Sequence, residues 1–167
     1  MSKSNVCVVG LSKQFTDIVC QQLSIKLDMF YANIEKLFEY ELTDLNKVEE
    51  MCGIDFLVKE QISIIKRTCS YDNTLMCVEY PLLNNDDIYQ LIQNNCLLIY
   101  LGVSEDRFKN ELEKTEDSES VRIIETDAFY DRDFLCRKMA DIVVDSEELE
   151  MNVLINKIID GILKYYL

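Results

Sequence analysis

The stretch Asn5–Gln22, NVCVVGLSKQFTDIVCQQ, constrains the fold more than any other part of the chain. Val6, Val8 and Val9 supply β-branched bulk and Gly10 ends the run, which reads as a buried strand. From Lys13 onward, Phe15, Ile18, Val19 and Leu23 fall at helical spacing with polar residues between them, predicting a helix to about Leu27. Strand, glycine turn and helix is how nucleotide-binding α/β proteins hold phosphate. The helix N-terminus there offers free N–H groups and the positive end of the dipole. The motif that goes with it is G-x-x-x-x-G-K-[ST]. Gly10 is present, but Phe15, Thr16 and Asp17 stand where Gly, Lys and Ser/Thr belong. The architecture of a phosphate site is announced without its chemistry.

The remainder of the chain alternates short apolar runs with helical patterns. Asp28–Ala32, Leu75–Glu79, Cys96–Leu101 and Asp141–Val144 read as strands, the third being the clearest, bounded by Asn95 and Gly102. Helices are predicted over Glu35–Tyr40, from Thr43 as N-cap to Gly53, over Ile54–Arg67, after Asn85, from Ser104 to about Leu112, over Asp127–Met139 and over Glu147–Tyr166. Glu113–Ser120, EKTEDSES, has no core residue and reads as an exposed, mobile loop. Five strands alternating with helices argue a parallel sheet covered on both faces, in one domain spanning 1–167.

Composition removes several chemistries. The chain has no His, which excludes imidazole bases and His-bearing metal sites, and no metal ligands are assigned. Its seven Cys lack a C-x-x-C pair and read as reduced core thiols of a cytoplasmic protein. Net charge is −14, which disfavours nucleic acid and anionic lipid as partners. No apolar run approaches the ~20 residues of a membrane helix.

The order of elements resembles shikimate kinase, within the nucleoside-monophosphate-kinase group of P-loop folds. Arg132-Asp133-Phe134-Leu135-Cys136 and Met139-Ala140-Asp141-Ile142-Val143-Val144-Asp145 are similar to the family's R-x-P-L-Y and A-D-I-V-V-D. Tyr100-Leu101-Gly102-Val103-Ser104-Glu105 is similar to its Y-L-x-V-S-x-E. The resemblance implies a five-stranded parallel sheet of order 2-3-1-4-5, a three-layer P-loop kinase fold, with residues 113–120 in the position of the lid. It also implies that Arg132 binds a substrate carboxylate.

The same resemblance locates losses. The family's D-x-D after the second strand falls on Ala32 and Ile34, and the arginine of its F-R-x-x-E falls on Leu57. A phosphate loop needs small residues so that backbone N–H groups can reach anionic oxygens, and Phe15 obstructs that approach. The lost lysine is the point charge on the β/γ-phosphates and the lost hydroxyl holds Mg2+. Asp17 suits the helix dipole but repels a triphosphate.

Gly10, Ser12, Lys13 and Thr16 remain as the phosphate-loop positions, and Arg132 as the anion-binding position. Lys13 either reaches a phosphate from the other side of the loop or is solvated. Ser12 and Thr16 read as helix caps. Arg132 either binds an anion or pairs with Asp131 or a carboxylate across the cleft. Asp127 and Asp131, four apart on one predicted helix, read as a solvated face.

The sequence therefore points to a degenerate, non-catalytic shikimate-kinase-like protein that uses the fold for ligand binding or regulation. Its partner would be a small anionic molecule or a protein, with no cofactor. The alternatives are an active kinase for shikimate or a related small hydroxylated acid, using ATP and Mg2+, and a protein-interaction scaffold.

Overall fold

The structure, a computed structural model, describes residues 3–167. Its centre is a five-stranded parallel sheet in the order β2-β3-β1-β4-β5. The strands are β1 (Asn5–Gly10), β2 (Phe30–Asn33), β3 (Thr74–Glu79), β4 (Cys96–Gly102) and β5 (Ile142–Asp145). β1 lies between β3 and β4, with Val8 beside Cys77 on one side and Ile99 on the other. The expected adjacency of the Cys7–Val9 and Cys96–Leu101 segments, and their parallel sense, is what the structure has.

Alternation within each strand builds two cores. Val6 and Val8 face α1 (Lys13–Leu27) and α9 (Met151–Tyr166), packing with Val19, Leu23, Leu154 and Ile158. Cys7 and Val9 face the opposite layer. There they meet residues of α2 (Ile34–Leu42), α4 (Ile54–Cys69), α5 (Asp86–Asn95), α6 (Glu105–Thr115) and α8 (Phe129–Met139). Strands buried on both faces need continuous apolar sequence, and all six residues of β1 and all seven of β4 are buried. Two further helices, α3 (Leu45–Cys52) and α7 (Glu119–Asp127), bury no residue. Among the described residues no helix is long and apolar enough to cross a membrane.

Several expectations are corrected. Asp44, not Thr43, caps α3, its side chain accepting from the Lys47 N–H, while Thr43 closes α2 at a positive φ of 61°. The loop expected over 113–120 shrinks to residues 116–118, because α6 continues to Thr115 and α7 begins at Glu119. The turn left between them is tied: the Glu116 carboxylate accepts from the Ser118 N–H and the Glu116 carbonyl accepts from Arg122. Asp127 and Asp131 do not share a helix, since α7 ends at Asp127 and α8 starts at Phe129.

Candidate functional site

In a parallel sheet every strand delivers its C-terminal end to the same edge, and ligands of open α/β folds bind there. At that edge Gly10 ends β1 and Glu79 ends β3. The 3-10 turn Tyr80–Asn84 follows Glu79, while α6, α7 and α8 rise alongside. They enclose a cavity of about 360 Å3. Gly10, Lys13 and Arg132, three of the five residues singled out from the sequence, line it together. Thr16 lines an adjoining groove, also with Gly10 and Lys13.

The segment expected as a phosphate loop is mostly helix. α1 begins at Lys13, and the Thr16 N–H already donates to the Ser12 carbonyl at 2.9 Å. Only Leu11 and Ser12 separate strand from helix, and the Gln14, Phe15 and Thr16 N–H groups already have acceptors within the protein. Neither Ser12 nor Thr16 caps the helix as expected. Ser12 occupies the N-cap position but its hydroxyl makes no hydrogen bond, although it is fully buried. Thr16 turns its Oγ1 back to the Ser12 carbonyl at 2.7 Å.

The cap comes from another element. Glu111 on α6 accepts from the Gln14 N–H through Oε1 at 3.0 Å and from the Phe15 N–H through Oε2 at 3.3 Å. A carboxylate thus sits on the positive end of α1, where the dipole favours an anion. Arg107, one turn earlier on α6, lies over the Phe15 ring, 4.2 Å from its centroid. Phe15 itself packs against both core layers.

Each cation of the cavity is also spoken for. Lys13 Nζ is 2.8 Å from Glu79 Oε2, an ion pair made by a side chain that stays largely exposed to solvent. Arg132 pairs with Glu125 on α7, not with Asp131. Both terminal guanidinium nitrogens donate to that carboxylate, Nη2 at 3.1 Å, and the charge lies 5.7 Å from the Tyr80 ring centroid. The Glu125 bond holds the Arg132 guanidinium above its usual value. The cavity lining sums to two cations, Lys13 and Arg132, against four carboxylates, Glu79, Glu111, Glu116 and Glu125.

The positions read as lost are absorbed into structure. Ile34 is fully buried and Leu57 nearly so. Asp17 accepts from the Tyr31 hydroxyl, from Asn33 Nδ2 at 2.9 Å and from Lys36 Nζ at 2.9 Å, joining α1 to β2 and α2. Burial alone would raise the Asp17 carboxyl, but those three donors outweigh it and hold its pKa below the ordinary value. Glu35, which sequence reasoning missed, accepts from the Glu79 N–H at 2.9 Å beneath the Lys13–Glu79 pair. Burial pushes its carboxyl up to about 7, and the Glu79 carboxylate adds to the rise. Among the described residues no cluster of acids and thiols could hold a metal ion.

No protein-family model matches the chain, and no curated protein matches its sequence. Solved structures do. A shikimate kinase from Acinetobacter baumannii, solved in complex with shikimate, superposes with a TM-score of 0.82 at 15% identity, covering 99% of this chain and 96% of that one. The shikimate kinase of Aquifex aeolicus gives 0.75 at 16% identity, covering 98% of each chain. A gluconokinase from Sinorhizobium meliloti gives 0.60 at 13%, covering 98% of this chain and 94% of that one. The strand order agrees with that likeness, and the fold of this chain is that of the shikimate-kinase-like P-loop kinases.

Proposed function

We propose that this chain is a non-catalytic shikimate-kinase-like protein that keeps the kinase fold for ligand binding or regulation. One observation carries the reading: the two N–H groups at the start of α1 are held by the Glu111 carboxylate. Phosphoryl transfer is mostly positioning and electrostatic stabilisation, so it depends on free donors and cations around the phosphate. Lys13 and Arg132 are paired with Glu79 and Glu125, and the Asp17 oxygens are taken by protein donors. The reading requires neither ATP nor Mg2+.

The ligand would be a small anion that displaces Glu125 from Arg132, or the partner would be a protein that reads the surface. A net charge of −14 argues against nucleic acid and anionic membranes, and the free thiols fit a cytoplasmic setting. The test is Mg-ATP binding by calorimetry, with a coupled ADP-release assay on shikimate, gluconate and related hydroxy acids. The expected result is neither binding nor turnover. A thermal-shift panel of the same acids without nucleotide then separates a ligand-binding protein, which one of them stabilises, from a scaffold, which none does.

An active ATP-dependent kinase for a small hydroxylated acid is the second reading. It is favoured by the convergence of Gly10, Lys13 and Arg132 on one cavity. Turnover above ~1 s−1, the low end of ordinary enzymes, abolished by Lys13→Ala or Arg132→Ala, would establish it.

A further inference from the structure

Phe15 replaces a motif glycine, and the structure gives its ring a use. Arg107 and Glu111 lie four residues apart on α6, on one face of the helix. Both meet α1 at this one residue: Arg107 lies over the ring, and Glu111 takes the residue's own N–H together with that of Gln14. Between them on α6, Phe108 is buried in the core.

We propose that Phe15, Arg107 and Glu111 form a clamp that closes α6 over the cleft through contacts within the chain alone. Glu111 contributes charge-assisted hydrogen bonds to backbone donors that Ser12, in the N-cap position, leaves unclaimed. Arg107 contributes a cation–π contact to a ring that both core layers anchor. A glycine at position 15 would supply no such surface. The Phe15 side chain thus supplies the aromatic half of the clamp, while Glu111 needs only the backbone N–H groups. Because α6 continues through a three-residue turn into α7, and α7 is tied to α8 by Glu125–Arg132, the clamp fixes the whole roof of the cavity.

The inference rests on the non-catalytic reading in one respect: the clamp uses the helix end that a bound phosphate would need. It deepens that reading, since Phe15, Arg107 and Glu111 hold α6 on α1 whether or not an anion displaces Glu125 from Arg132. That is a property of a scaffold rather than of a ligand-gated switch.

Residue-resolved amide exchange on the full chain tests it. In Glu111→Ala the Gln14 and Phe15 amides should exchange about tenfold faster or more, the scale of a lost hydrogen bond to a charged group. Glu111→Gln keeps one acceptor oxygen and should fall between that variant and wild type. Arg107→Ala should raise exchange at the same two amides by a smaller factor. The β1 amides of Cys7–Val9 report global opening and should rise by a smaller factor, set by the overall stability the variant loses. Should Glu111→Ala fail to fold, Glu111→Gln gives the same readouts. Unchanged exchange at Gln14 and Phe15, or a rise only in step with Cys7–Val9, would overturn the clamp. Tight Mg-ATP binding would instead sink the non-catalytic reading and leave the exchange result to stand by itself.

Discussion

Gly10 and Thr16 lie so close that a Cβ on residue 10 would stand 2.0 Å from the Thr16 Oγ1 and 3.1 Å from its Cβ. Thr16 cannot yield easily, because it is buried and its hydroxyl is bonded to the Ser12 carbonyl. Gly10→Ala should therefore cost about 1–3 kcal/mol, the usual range for overpacking a filled site. Thr16→Ala removes both the Oγ1 and the Cγ2 that the new methyl would strike. The double variant should then be more stable than the sum of the single changes allows. Urea midpoints of the four proteins decide it, and strict additivity would mean that the two side chains do not meet.

Glu35 makes stability depend on pH. Its carboxyl, near 4.5 in the ordinary state, is held at about 7 by burial and by Glu79. For a carboxyl raised on folding, the contribution to stability is complete below the unfolded value. It is lost as the pH climbs through the folded one. Wild type should weaken between pH 5 and pH 8 relative to Glu35→Gln, which cannot ionise. Chemical denaturation of both proteins at the two pH values is the measurement. An equal gap at each pH would show that Glu35 does not titrate in this window.

Asp17 works in the opposite direction. Three donors from β2 and α2 stabilise its charged form and lower its pKa, so its contribution is present above the ordinary carboxylate range and is lost as the pH falls below about 4. Asp17→Ala should cost about 2 kcal/mol near neutrality, the order expected for hydrogen bonds to a charged group. That cost should shrink in acid. Thermal melts at pH 7 and pH 3 compare the two, and a deficit that persists undiminished at pH 3 would assign it to packing rather than charge.

The sheet was legible because its strands are buried on both faces. Val6–Val9 and Cys96–Leu101 are continuous apolar runs with clear ends, and α1 follows its spacing from Lys13 to Leu27. α7 was illegible for the converse reason. Val121, Ile123 and Ile124 are all exposed, so no buried stripe marks the helix, and its acidic approach resembles a loop. That Gly10, Lys13 and Arg132 lie near one another was legible, but their partners were not. Glu111 reaches backbone donors 96 and 97 residues away, and a backbone N–H has no letter in the sequence. Glu79 and Glu125 are two among 31 acids, and only the fold sets them opposite Lys13 and Arg132.

Restoring the motif should not restore a phosphate site. Consider Phe15→Gly, Thr16→Lys and Asp17→Thr made together. Glycine at 15 lies inside α1, where it costs about 1 kcal/mol against a helix former, and it deletes a ring that joins both core layers and seats Arg107. Lysine at 16 enters a position only 1% exposed and pressed against Gly10, beside a groove that Glu35 and Glu79 also line. Taking an ammonium out of water there is costly even where a carboxylate meets it. Threonine at 17 cannot accept from Tyr31, Asn33 and Lys36 at once, and each donor left without a partner costs about 1–3 kcal/mol if it stays buried. Together these claim much of the 5–15 kcal/mol that holds a typical domain. The triple variant should melt roughly 10 °C or more below wild type, or fail to fold. Where it folds, it should still not bind Mg-ATP, because Glu111 remains on α1 and Glu79 remains on Lys13. Circular dichroism melts and calorimetry with Mg-ATP check both halves. A variant that melts within a few degrees of wild type and binds the nucleotide would show that three residues alone separate this cleft from a working phosphate site.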